Sequence, residues 1–430
     1  MSWERDLRWT YNNTASREDY YELKKAIPPL LRSESEAKFI AAVGAITSGT
    51  LAITFVIPLL LQILIKAAMS RVWSIFNTLQ IIILMPLMAL SLPGNVQAIY
   101  DEIDKIMNLD MLPKDRIYEY IFGEPLPSAS GATIKDHVLA KAGFSKDSLL
   151  KSVYLVILMI LILAFLTALV VMVIKKCFDG LPENVKNVLL SVQHKLMFNS
   201  ILRATLQIYL PLSISCFVSL KYSESTGDKV SSIILLVFLS LLQFAVMFIL
   251  NRQTHPLNHP FYLVRMGTLY LNVDTVGKPF ALLFTSLFLI RRLLFAFCVV
   301  MIENVLVQLF VTMYASLVLI LFYAVIWPMN DTVNNVLQLG NEIFFIVCVH
   351  FMLVFTDYST DPVKRNTIGY AYLFFLAVNI IVNVALIAYT VVKKLQEAYR
   401  NRNKEPTKVQ HKKGTIGHRL QLEKRKKKKI

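Results

Sequence analysis

Residues 287–297 have the sequence LFLIRRLLFAF, in which two arginines lie side by side inside an apolar run. The run continues in both directions, from about residue 282 to residue 302. About 20 consecutive apolar residues form a helix long enough to cross the ~30 Å hydrocarbon core of a bilayer. The stretch therefore predicts a transmembrane helix that carries two permanent positive charges.

Similar apolar runs recur along the 430-residue chain, which is 55% hydrophobic and has a mean hydropathy of +0.53. Their length and low charge predict an all-α fold, a polytopic helical membrane protein with about nine transmembrane helices. The predicted spans lie at roughly 39–66, 73–92, 149–174, 200–220, 230–250, 282–302, 305–327, 336–356 and 368–392.

The distribution of charge predicts the orientation of these spans. Residues 393–430 contain 15 Lys and Arg against three Glu, so +12 of the formal net charge of +16 lies there. Because basic segments remain on the cytoplasmic side, we predict a basic cytoplasmic tail at 394–430. The bundle, 39–393, then has an odd number of spans, which places the polar segment 1–38 outside.

The loop 93–148 contains nine acidic and six basic residues and is predicted to be extracytoplasmic. Its first part, VQAIYDEIDKIMNLDML, has apolar residues at helical spacing and predicts an amphipathic helix. This helix is expected to lie either on the membrane or on the bundle. Its apolar residues are Val96, Ile99, Ile103, Ile106 and Met107.

Three charged residues carry the most information within the spans: Arg291, Arg292 and Glu342. One interpretation is that the arginines snorkel to the headgroups, and another is an ion pair with Glu342. Voltage sensing is disfavoured because arginine is not repeated at every third position. Since adjacent helical residues point about 100° apart, we expect one arginine to snorkel at the cytoplasmic interface. The other should enter the bundle and meet Glu342 or, failing that, the carbonyl groups at the end of the eighth span.

Several amide side chains also fall inside the predicted spans. They are consistent with hydrogen bonds between helices, and equally with a polar pathway for ions. Two of them, in the last span, are four residues apart and are predicted to share a helix face. The amides are Asn77, Gln80, Gln207, Gln243, Asn379 and Asn383.

No pattern in the sequence predicts an enzyme, a metal site or a cofactor. The chain has no nucleophile–base set, no glycine-rich phosphate loop and no zinc-ligand spacing. His255 and His259 are four residues apart, but Pro256 and Pro260 prevent the regular helix that would place them on one face. The four cysteines lie in or beside apolar runs, as small buried residues do.

The tail ends in EKRKKKKI, a polybasic sequence. Beside a membrane bundle, this sequence predicts contact with anionic lipid rather than with nucleic acid. The alternative is a solvated segment that only fixes the topology. The candidate lipid-binding residues are Lys424, Arg425, Lys426, Lys427, Lys428 and Lys429.

Three segments together resemble a known family. They are residues 71–103 with LDMLP after them, PFALLFTSLFLIRRLLFAF, and FYAVIWPMNDTVNNVLQLGNEIFF. Their order resembles the C-terminal membrane module of protist (ciliate-type) surface proteins that are TRP-like or polycystin-like, akin to the fungal TRP-like flavin-carrier group. Two features differ from that family: only 38 polar residues precede the first span, and Trp327-Pro328-Met329 replaces an Arg-Pro-Phe turn.

The resemblance implies a TRP-like cation channel or a channel-like subunit in the plasma or ciliary membrane. It also implies a homo-oligomer or a partner that bears an ectodomain. Two alternatives remain open. A non-conducting membrane anchor or adhesion component would have every polar span residue satisfied, and a scramblase-like lipid-handling protein would have a polar furrow open to the bilayer.

Overall fold

The computed structural model describes residues 66–107 without 89 and 91, 114–123, 201–251, 278–356 and 361–427, with scattered positions among 38, 139–172 and 267–274. Within these residues the chain is helical, apart from short connections and an isolated β-bridge between Val273 and Met329. The predicted all-α fold is confirmed for this part of the chain.

The helices are numbered here in chain order. They are α1 (Lys66–Leu84), α2 (Gly94–Met107), α3 (Lys114–Phe122), α4 (Ile201–Tyr222), α5 (Thr226–Asn251), α6 (Leu283–Met301), α7 (Val305–Ile326), α8 (Thr332–Val354) and α9 (Pro362–Lys427). The 3₁₀ turn Met85–Met88 extends α1, and a second one, Pro279–Leu282, leads into α6.

Five described segments are long and apolar enough to cross a membrane, which indicates a membrane protein. They correspond to the last five predicted spans: Thr226–Val246, Phe280–Met301, Val305–Ile326, Thr332–Val354 and Val363–Glu397. The predicted spans 73–92 and 200–220 contain shorter apolar segments, Asn77–Met88 and Ile208–Tyr222. The predicted spans 39–66 and 149–174 lie almost entirely outside the described residues, so the total of nine stays a prediction.

Side-chain caps define the turns between the last helices. Asn304 accepts hydrogen bonds from the backbone N–H groups of Leu306 and Val307, at 3.0 and 3.3 Å, and so begins α7. The α7 helix ends at Trp327, whose φ of 50° is left-handed, and Pro328 follows. Asp331 then accepts from the N–H of Val333 and begins α8.

The spans pack in two groups. Helices α4, α5 and α6 pack on one another, and α1, α8 and α9 form a second group. Helix α7 packs mainly on α8 of the second group, and it also packs on α6. The α6 backbone makes few close approaches to α1 or α8. We call the boundary between the two groups the seam. Apolar side chains fill part of it, among them Phe295, Val299, Phe345 and Val349.

The outer faces of α5, α7 and α9 expose large apolar side chains, as lipid-facing surfaces do. A cleft of about 550 Å³ opens on this surface between α7, α8 and α9. Its lining is apolar apart from His350, whose Nδ1 is 2.7 Å from the carbonyl oxygen of Ile346. The cleft is therefore not the polar furrow expected of a scramblase.

The amphipathic helix α2 packs on the bundle. Val96 and Ile99 are buried, and the Asn95 amide donates to the carbonyl oxygen of Asn366, in the first turn of α9, at 3.0 Å. The hydroxyl of Tyr100 lies 2.6 Å from that of Tyr372. Burial raises the pKa of Tyr100 far above its ordinary value, so this hydrogen bond joins two neutral groups at physiological pH. The side chains of 101–107, including Ile103, Ile106 and Met107, lie outside the description.

Candidate functional site

The three charged residues lie near the middle of their spans. Arg291 is eleven residues after Phe280 and ten before Met301, the two ends of its span. Glu342 is ten residues after Thr332 and twelve before Val354. The prediction placed the arginines at or just inside the cytoplasmic interface. Along the helix both lie near the middle of the apolar segment, and their depth in a membrane stays a prediction.

Arg291 is paired with Glu342. Its guanidinium donates to Glu342 Oε1 at 2.5 Å and to the Ser316 hydroxyl at 3.2 Å, and it lies 4.5 Å from the ring centre of Phe345. The two charged side chains are only 11% and 8% exposed. Because an isolated buried charge is costly, each ion of this pair stabilises the other.

Arg292 is fully buried. Its guanidinium lies 4.3 Å from the ring centre of Phe288. Its terminal nitrogens donate to three uncharged oxygens: the Leu206 carbonyl at 2.9 Å, Asn77 Oδ1 at 2.9 Å and Gln80 Oε1 at 2.7 Å. The prediction that one arginine snorkels to the headgroups is therefore wrong. Two amides on α1, one helical turn apart, accept the hydrogen bonds of Arg292 that lipid headgroups were expected to accept.

A cluster of amides adjoins the ion pair. Asn341, next to Glu342 on α8, donates to Ser74 Oγ at 3.0 Å and accepts from the amides of Asn383 and Asn379 at 2.9 and 3.2 Å. Asn383 also donates to the carbonyl oxygen of Asn379 at 2.9 Å. The two asparagines of α9 therefore share a face, as their spacing predicts.

These contacts form one polar layer across the bundle, because Arg291 adjoins Arg292 and Asn341 adjoins Glu342 in the sequence. The layer links six helices: α1, α4, α6, α7, α8 and α9. Both arginines belong to α6, on one side of the seam, whereas the side chains that accept their hydrogen bonds belong to the other helix group. The arginine side chains thus join α6 to α1 and α8 at this depth.

Two buried atoms of the layer have no hydrogen-bond partner among the described residues. They are Nε of Arg292 and Oε2 of Glu342. Buried polar atoms are normally satisfied, and exceptions usually mark bound water, an ion or a second conformation. The layer is therefore one donor and one acceptor short of complete pairing.

Two other amides were singled out by the sequence, Gln243 and Gln207. Gln243 is buried in α5, and its Oε1 has no described hydrogen-bond partner. Gln207 lies on α4, but its side chain falls outside the description, as do those of Lys424 to Lys427 on α9. The histidines at 255 and 259 and the last three residues of the tail also lie outside it.

Arg71 forms a second cluster, which the sequence did not reveal. Its guanidinium donates to Asn334 Oδ1 at 2.8 Å, to Asp331 at 3.0 Å and to the hydroxyl of Thr390. This cluster ties α1, α8 and α9 together at their predicted cytoplasmic ends. Arg71 is buried by these neighbours.

Among the residues that the structure describes, no group of three potential metal ligands occurs. The chemistry available in the polar layer is therefore that of charges, amides and hydroxyls. Comparisons of the chain with models of protein families, with curated protein sequences and with solved structures find no match.

Proposed function

We propose that this chain is a channel-like membrane subunit in which ions cross the bundle along the seam. The observation that carries the proposal is the polar layer, with two arginines and a glutamate at mid-depth. Ionisable residues at this depth are costly, and in membrane proteins they usually mark pathways or gates for ions. In this proposal the ion pair of Arg291 with Glu342 is the gate, and its formation closes the pathway.

Two features support a gate rather than a fixed brace. The arginine side chains cross the seam to α1 and α8, two helices to which the α6 backbone makes few close approaches. Oε2 of Glu342 and Nε of Arg292 leave hydrogen-bonding capacity for a rearranged state. In this proposal, opening separates the apolar contacts of the seam and exchanges the hydrogen-bond partners of the two arginines.

The proposal includes the full expected architecture of about nine spans, a surface membrane such as the plasma or ciliary membrane, and the TRP-like ancestry that the motifs suggest. A non-conducting anchor is the second candidate. It is favoured by the hydrogen bonds that join Asn341, Asn379 and Asn383, because a non-conducting bundle is expected to pair its polar span residues with one another.

Ion flux from liposomes that contain the purified protein tests the proposal. We expect measurable flux with the wild-type chain and a rise of about tenfold with Glu342→Gln, because an amide holds Arg291 less strongly than a carboxylate does. Gln243→Leu, which alters a polar span residue not bonded to the layer, should behave like the wild type. Liposomes that stay impermeable with the wild type and with Glu342→Gln would support the anchor instead.

A further inference from the structure

The charge of the polar layer bears on which ions can cross it. Away from the ends of the nine apolar runs, the only charged residues are Arg291, Arg292 and Glu342. Arg291 and Glu342 neutralise each other at 2.5 Å. The formal sum of the three residues is +1, and the remaining charge belongs to Arg292.

The structure shows how this charge is held. Arg292 is fully buried, and the oxygens that accept its hydrogen bonds belong to two amides and a backbone carbonyl, all uncharged. Hydrogen bonds that a guanidinium donates to neutral oxygens stabilise it but leave its net charge in place. Its Nε–H, also buried, has no acceptor among the described residues. Within the part of the chain that the structure describes, Arg292 is therefore a cation without a carboxylate partner, and its Nε–H can donate to a ligand.

A fixed positive charge in a low-dielectric passage attracts anions and repels cations, and anion pores are commonly lined by arginine or lysine. We propose that the ion that crosses the seam is a small inorganic anion such as chloride, attracted by Arg292; this inference rests on the proposed channel function. It replaces the cation that the resemblance implies. The anion would accept a hydrogen bond from the Nε–H group of Arg292 when the seam opens.

The test compares the two ions in the same liposomes. Chloride efflux and potassium efflux are measured in separate assays, each with an ionophore that dissipates the membrane potential. We expect the wild type to release chloride faster than potassium. Arg292→Gln, which reduces the formal charge of the layer to zero, should lower the ratio of chloride to potassium flux by about tenfold or more.

Two further variants keep the result decisive if Arg292→Gln does not fold. Ser316→Asp reaches zero charge by placing a carboxylate beside Arg291 and leaves Arg292 intact, so it should also lower the ratio. Glu342→Gln raises the sum to +2 and should increase it. A ratio of chloride to potassium flux that rises with the formal charge of the layer, from zero through +1 to +2, supports a role of this charge in ion selectivity. Changes in packing alone would not produce that order.

The outcomes that contradict the two proposals are different. Faster potassium flux in the wild type, or a ratio that the charge-changing variants leave unmoved, would overturn the anion inference and leave the channel function standing. Impermeability to both ions in the wild type and in Glu342→Gln would overturn the channel function itself.

Discussion

At the scale of single residues, two adjacent arginines have entirely different surroundings. Arg291 faces a carboxylate, whereas Arg292 is held by neutral oxygens from α1 and α4. The cause is geometric, since consecutive residues on a helix point about 100° apart and so face different neighbours. The consequence is that the first charge is cancelled locally and the second is not.

Breaking the ion pair should destabilise the bundle. Glu342→Gln is expected to reduce the free energy of unfolding by about 1–3 kcal/mol, less than the 3–5 kcal/mol for a fully stranded charge, because glutamine still accepts a hydrogen bond. Thermal unfolding in detergent measures the change.

Charge reversal gives the matched control for this pair. Arg291→Glu and Glu342→Arg should each destabilise the protein, and the double variant should recover part of the loss. A double variant as unstable as the sum of the two single variants would show that the residues do not interact.

At the scale of elements, the attachment of α2 to α9 depends on the absence of a side chain at Gly369. A Cβ there would lie 2.5 Å from Asn95 Oδ1 and 3.0 Å from Pro93 Cγ. Gly369→Ala should therefore push α2 away from the bundle and expose it to protease. Gly340→Ala is the matched control, because a Cβ at that helical position meets nothing within 4 Å. Equal protease resistance of the two variants would contradict the packing of α2 on the bundle.

The tail is an element whose chemistry remains a prediction. A peptide of residues 393–430 should bind vesicles that contain anionic lipid, with about 1 kcal/mol per basic residue near the surface, and salt should weaken the binding. Replacing the six basic residues 424–429 by glutamine provides the control and should remove most of the affinity. Equal binding to neutral and anionic vesicles would rule out this role.

At the scale of the whole molecule, the orientation can be tested directly. The +12 charge of the tail predicts a cytoplasmic C-terminus. A tag at residue 430 should resist protease in intact cells and be cleaved after permeabilisation. Cleavage in intact cells would reverse the orientation and place the Arg71 cluster at the outer surface.

Comparison with the sequence shows which features local pattern can predict. The length of the apolar runs predicted the last five spans, and the four-residue spacing predicted that Asn379 and Asn383 share a helix face. The predicted span 282–302 placed Arg291 near the middle of its helix, as the segment Phe280–Met301 does. Asn341 was missed because a single amide carries no periodicity, and its partners are up to 267 residues away in the chain.

The length of α9 makes the tail a lever arm. The helix continues from Pro362 to Lys427, and Arg71 donates hydrogen bonds to it at the Leu386 carbonyl and the Thr390 hydroxyl. At 1.5 Å per residue, Asn383 lies about 10 Å on one side of Thr390, whereas Lys427 lies about 56 Å on the other. For a stiff helix that pivots at Thr390, a sideways force at Lys427 is multiplied by roughly five at Asn383, the ratio of these two lengths. A sideways pull on the tail would then reach the asparagine cluster as torque about Thr390.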